Sequence, residues 1–127
     1  MAEPSARILV VEDDGELLEV LQYVFEDAGY QVAAASNGEE ALRLAGSEQI
    51  DLVVLDIGME GMSGLDVARR LRAEDDTRHL PIALHTGVSE SAVRNDFQDY
   101  DLFLAKGDDA QRLLDVIKAF LAGRRST

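Results

Sequence analysis

The sequence predicts an α/β protein built on one parallel sheet with helices on both faces. Two observations carry this. Five short apolar runs alternate with amphipathic segments at close spacing, which implies right-handed βαβ units. Two of the runs end directly in acid, Ile8-Leu9-Val10-Val11 on Glu12-Asp13-Asp14 and Leu52-Val53-Val54-Leu55 on Asp56. Strands that finish in carboxylates present a charged edge where a divalent cation can be held, and no packing requirement explains it.

The first strand is expected over Arg7 to Val11, buried on both faces because its apolar residues run together rather than alternate. A helix follows, with Leu17, Leu18, Leu21, Val24, Phe25 and Ala28 on one stripe and Gly29 just past its end. Asp13 with Glu16 reads as a capping box for its start, which competes with any ligand role for Asp13. A weaker strand, Gln31 to Ala35, leads through Ser36-Asn37-Gly38 into a short helix carrying Ala41, Leu42 and Ala45.

The third strand is Leu52 to Leu55, followed by the loop Ile57 to Gly64. Ser63 can cap a helix with Leu65, Ala68 and Leu71 inward, ending in the polar stretch Ala73 to His79. Pro81 opens a fourth strand, Ile82 to His85. A polar helix from Ser89 to Gln98 has few apolar anchors, chiefly Ala92, Val93 and Phe97, and is expected to be the least firmly packed. Leu102 to Ala105 is the fifth strand, and Asp108 with Gln111 reads as the cap of a last helix carrying Leu113, Leu114, Ile117, Phe120 and Leu121. The expected domain is 6–123, with flexible tails at 1–5 and 124–127.

Composition narrows the function. At 127 residues and 46% hydrophobic, the chain fits one domain with one two-sided core. Having no cysteine, it excludes disulfides, thiolate metal sites and thiol catalysis. A net charge of −13, from 25 acidic and 12 basic residues, repels nucleic acid and anionic membranes, so neither is expected as a partner. No apolar stretch suits a membrane span and the first residues lack a signal-peptide core, so a cytoplasmic location is expected.

In open parallel sheets ligands sit beyond the carboxyl ends of the strands, where Glu12, Asp13, Asp56, Thr86 and Lys106 all fall. Asp56 is followed by Gly64 eight residues later and Thr86 thirty later, and Lys106 comes twenty after that. In this order and spacing, across essentially the whole chain, these residues resemble the receiver domain of two-component response regulators, of the stand-alone type. The resemblance implies a flavodoxin-like (βα)5 sandwich of strand order 2-1-3-4-5. It also implies a signalling switch that catalyses only its own phosphorylation and dephosphorylation.

The chemistry suits the residue types. A carboxylate attacks a phosphoryl group to give an aspartyl phosphate when charge is neutralised, and Mg²⁺ (or Mn²⁺) relieves the repulsion among clustered acids while bridging phosphoryl oxygens. By resemblance, Asp56 is the phosphoacceptor, and the metal is held by Asp56, Asp13 and the backbone carbonyl of Gly58, with Glu12 acting through water. Lys106 contacts the phosphoryl oxygens, the Thr86 hydroxyl reorients toward them, and Phe103 at the switch position follows inward. A sensor histidine kinase or histidine phosphotransfer protein is the implied donor and a separate output protein the implied reader, through the fourth helix, fifth strand and fifth helix. A phosphorylation-dependent dimer stays open.

Two positions depart from the family. It usually has proline four residues after the acceptor, where this chain has Glu60, and a cis-linked proline after the lysine, where this chain has Gly107. A cis bond before a non-proline residue costs about 3 kcal/mol, so a trans Lys106-Gly107 bond and a less well placed lysine are expected. These departures keep open a receiver-like interaction module that works without phosphorylation. A phosphatase of the haloacid dehalogenase type is disfavoured because it wants a second aspartate where Gly58 stands, and a flavin-binding protein because its first loop should offer hydroxyls and glycine amides, not Glu12-Asp13-Asp14. His85, facing away from Thr86, is expected to be structural.

Overall fold

Strands whose residues are apolar on both sides must be covered on both sides, and that requirement organises the molecule. The computed structural model describes residues 6–125, so the expected tail at 1–5 and residues 126–127 of the other expected tail lie outside the described residues. The elements alternate without exception: β1 (Arg7–Val11), α1 (Gly15–Asp27), β2 (Gln31–Ala35), α2 (Gly38–Ser47), β3 (Leu52–Leu55), α3 (Gly64–Ala73), β4 (Ile82–Thr86), α4 (Glu90–Arg94), β5 (Leu102–Ala105) and α5 (Ala110–Arg125). All neighbouring strands pair parallel, in the order β2-β1-β3-β4-β5.

The two-residue period of the strands divides the core in two. Leu9, Val11, Val53, Leu55, Ile82 and Leu84 pack with Ala41, Val67, Leu71 and Val93 from α2, α3 and α4. Ile8, Val10, Leu52, Val54, Ala83 and Leu104 pack with Leu21, Phe25, Leu113, Ile117 and Leu121 from α1 and α5. The register sets Val11 level with Leu55, so the acids that follow these two residues emerge side by side.

Several local expectations need correction. Asp14, not Asp13, caps α1, its carboxylate accepting from the N–H groups of Glu16 and Leu17. Likewise Asp109, not Asp108, caps α5, accepting from Arg112 N–H at 2.8 Å. In both places adjacent aspartates offer the same chemistry, and the backbone path chooses the one beside the first helical residue. Ser63 does cap α3, reciprocally with Asp66, and Val67 joins Ala68 and Leu71 in the core while Leu65 is half-buried.

The helix expected over Ser89 to Gln98 is regular only from Glu90 to Arg94, with Ser89 as its cap. Val93 and Phe97 are its buried anchors and Ala92 is exposed, so too little apolar surface faces the core to carry a longer helix. The polar stretch after α3 is better anchored than its composition suggests, because buried Thr77 donates its hydroxyl to Leu71 C=O at 2.8 Å. At the other end, α5 continues through Arg124 and Arg125, which were expected in the tail. Arginine favours helix and suits a C-terminal turn, and the Arg124 guanidinium lies 5.7 Å over the Phe120 ring.

Candidate functional site

The carboxyl ends of β1, β3, β4 and β5 converge on one edge of the sheet. Two ladder bonds fix the acids there: Glu12 N–H donates to Ala35 C=O at 3.1 Å and Asp56 N–H to Val11 C=O at 3.0 Å. Oxygens of Glu12, Asp13 and Asp56 lie within 4.8 Å of one another, Glu12 and Asp56 buried and Asp13 exposed. Because Asp14 serves the helix, Asp13 is free of the capping role that competed with its place in this group.

Lys106 balances the cluster. Its ammonium lies 3.0 Å from Glu12 Oε1 and 3.2 Å from Asp56 Oδ1. Burial disfavours that charge, but the hydrogen bonds and negative charges of Glu12 and Asp56 outweigh it and raise the Lys106 pKa. Burial pushes the Glu12 carboxyl above its ordinary value; the Asp14 amide and Lys106 oppose the shift, and the Asp56 charge reinforces it. Asp14 N–H serves Glu12 Oε2 at 3.1 Å, whereas buried Glu12 Oε1 is met by the Lys106 ammonium. An all-oxygen group of three carboxylates, only two of them paired with the one ammonium, suits a hard divalent ion.

The remaining predicted residues sit around this group. Gly58 contributes its N–H, which donates to Asp56 Oδ1 at 3.2 Å. The Thr86 hydroxyl is buried and accepts from Val88 N–H at 3.1 Å, turned to its own loop. Phe103 is half-buried on β5 beside Tyr100, with ring centroids 6.1 Å apart. His85 is buried, and burial first, then the Lys106 charge, lowers its pKa, as suits a neutral structural ring. The Lys106-Gly107 bond is trans, as expected, yet Lys106 reaches both carboxylates without the proline.

Gly64 is the tightest point of the site. A Cβ there would lie 2.0 Å from the Asp56 carbonyl oxygen, so only glycine lets the start of α3 pack against the acceptor's own backbone. Sequence reasoning missed a further contact, the Glu60 backbone N–H donating to Asp13 Oδ2 at 3.3 Å. Its one legible sign was the absence of proline at position 60.

Residues 8–118 match the model of the response regulator receiver domain. The chain belongs to that family. It is therefore a phosphoacceptor switch of two-component signalling, and its strand order is that of the flavodoxin-like fold. This receiver domain is 34% identical to Protein PilH of Pseudomonas aeruginosa over 93% of its own length and 99% of that protein's. It is 44% identical over 86 residues to the alkaline phosphatase synthesis transcriptional regulatory protein PhoP of Bacillus subtilis, but spans only 35% of that longer protein. Among solved structures it resembles the response regulator TrrA of Thermotoga maritima, in complex with Mg²⁺-BeF, at a TM-score of 0.79 and 36% identity over 90% of this chain and 97% of that one. Receiver domains are phosphorylated by histidine kinases, and among the described residues no helix is long and apolar enough to cross a membrane.

Proposed function

We propose that Asp56 is the phosphoacceptor and that Asp13, Asp56, the Gly58 carbonyl and, through water, Glu12 hold Mg²⁺ (or Mn²⁺) beside it. One observation carries the reading: three carboxylates from two strand ends gather within 4.8 Å, with Lys106 on the two buried ones. When bound, Mg²⁺ would neutralise these acids and the phosphoryl oxygens. The TrrA complex with Mg²⁺-BeF supports the choice of ion.

The rest is the work of this chain's own residues. Asp56 Oδ1 is engaged by Gly58 N–H and Lys106, leaving Oδ2 to attack phosphorus. An O–P bond forms as the P–N bond to the donor's histidine breaks, and the ring nitrogen keeps the bonding pair. Lys106 then shifts its ammonium toward the new phosphoryl oxygens. Thr86 releases the Val88 amide and donates to the same oxygens, and Phe103 moves inward into the room this opens.

Those two movements change the face made by α4, β5 and α5, where a separate output protein would read the state; phosphorylation-dependent dimerisation would use the same face. The donor would be a sensor histidine kinase or a histidine phosphotransfer protein, in the cytoplasm, and the working unit residues 6–123. Glu60 and Gly107 do not favour the phosphorylation-independent alternative, because the acids and the lysine meet despite both.

Intact-protein mass after incubation with acetyl phosphate and Mg²⁺ tests the reading. The expected result is a single phosphoryl adduct that disappears in Asp56→Asn and on chelation of the metal. A folded protein that takes up no phosphoryl group, or an adduct that survives in Asp56→Asn, would overturn it.

A further inference from the structure

The Glu60 N–H to Asp13 Oδ2 bond ties the loop after β3 to the turn after β1, between residues 47 positions apart. It exists only because position 60 is not proline, which has no N–H to give. Among the hydrogen bonds of the described residues it is the one that Asp13's side chain makes, since Asp14 has taken the helix cap. Asp13 is also the exposed member of the acidic group and so the one least fixed by packing.

We infer that the backbone amide of Glu60 is a positioning group for Asp13, holding its carboxylate toward Glu12 and Asp56 so that the three capture a divalent cation together. The inference rests on the metal-site reading above. A carboxylate offers about four lone-pair sites, so accepting one N–H leaves the other oxygen and a further lone pair for the ion. Donors that orient ligating carboxylates act in this way, and losing one costs about 10- to 100-fold in metal affinity. The group is the amide, not the acid: an alanine at position 60 keeps it and a proline removes it.

Isothermal titration of the full chain with Mg²⁺ compares Glu60→Ala with Glu60→Pro. Both variants lack the side-chain carboxylate and they differ in the N–H. Gly61 has φ +74°, the value of the second central residue of a type II turn, whose first central residue favours proline, and circular dichroism of both variants checks that the fold accepts the substitution. The expected result is a Kd for Mg²⁺ about tenfold weaker in Glu60→Pro than in Glu60→Ala. Equal affinities in the two variants overturn the positioning role while leaving the metal site standing. A wild-type chain that binds no Mg²⁺ removes the metal site itself, and the positioning role with it.

Amide hydrogen exchange in metal-free protein, read by NMR, gives a second measure that needs no substitution at position 60. The Glu60 amide should exchange faster in Asp13→Ala than in wild type. Unchanged exchange would refute the bond.

Discussion

Replacing Gly64 by alanine tests how the acceptor is held. The added Cβ would stand 2.0 Å from the Asp56 carbonyl oxygen and 2.7 Å from both the Asp56 carbonyl carbon and Ile57 Cα. An unstrained carbon–oxygen contact is about 3.3 Å, so the two backbones must part by roughly 1.3 Å. Neither yields freely: Asp56 N–H is bonded to Val11 C=O at 3.0 Å and Gly64 N–H to Ile57 C=O at 2.9 Å. Overpacking of this kind costs about 3 kcal/mol. At about 2.1 cal/mol/K per residue, unfolding this 127-residue chain has an entropy near 0.27 kcal/mol/K, so Tm should fall by about 11 °C. Thermal unfolding followed by circular dichroism measures it. Gly46→Ala is the control: Gly46 lies in α2 with nothing within 4 Å of its added Cβ, and the change should stabilise by about 0.5–1 kcal/mol. The moved backbone in Gly64→Ala is Asp56's own, so phosphorylation should slow as well. A Tm within about 3 °C of wild type would show that α3 and the acceptor strand separate cheaply, and would refute the reasoning.

Three further outcomes follow from the site's charges and caps. Asp14→Ala should cost about 1 kcal/mol through the lost cap, or ~4 °C in Tm, while Asp13→Ala in metal-free buffer should cost less, losing the exposed Glu60 N–H bond but no cap, and equal losses would return the cap to both residues. Glu12 has a raised pKa, so its folded state binds the proton more tightly than the unfolded chain, and its ionisation removes stability as pH climbs past 4.5 through the raised value. Glu12→Gln should therefore be more stable than wild type at neutral pH without Mg²⁺, with the gain vanishing in acid; urea titrations across pH would show it. Lys106 is raised as well, so its contribution is full below 10.5 and is lost as pH rises through its folded value. Lys106→Met should cost about 2 kcal/mol at neutral pH, by leaving two buried carboxylates unpaired, and that deficit should shrink at strongly alkaline pH.

Much of the fold was legible because each strand carries a short apolar run, and those of β1, β3 and β5 end directly on acid or lysine. The acid group was legible for the same reason, since Glu12 and Asp56 follow directly on Val11 and Leu55, which the sheet register sets level. Choices between neighbours of like chemistry were not legible. Asp13 and Asp14, or Asp108 and Asp109, can each cap a helix, and only the backbone path decides. The length of α4 depended on how far its few apolar side chains reach into the core, and Phe97 remains buried beyond the regular helix. The Glu60 contact is made by a backbone amide, which every residue but proline possesses and no side-chain pattern announces.

Borohydride reduction tests the central claim most directly, because it converts an aspartyl phosphate to homoserine at the residue that carried it. Applied to the protein after acetyl phosphate and Mg²⁺, and followed by peptide sequencing in the mass spectrometer, it should yield homoserine at position 56 and nowhere else. Homoserine at position 13, 5-hydroxynorvaline at Glu60, or no reduced residue at all would contradict the assignment of Asp56 as the acceptor.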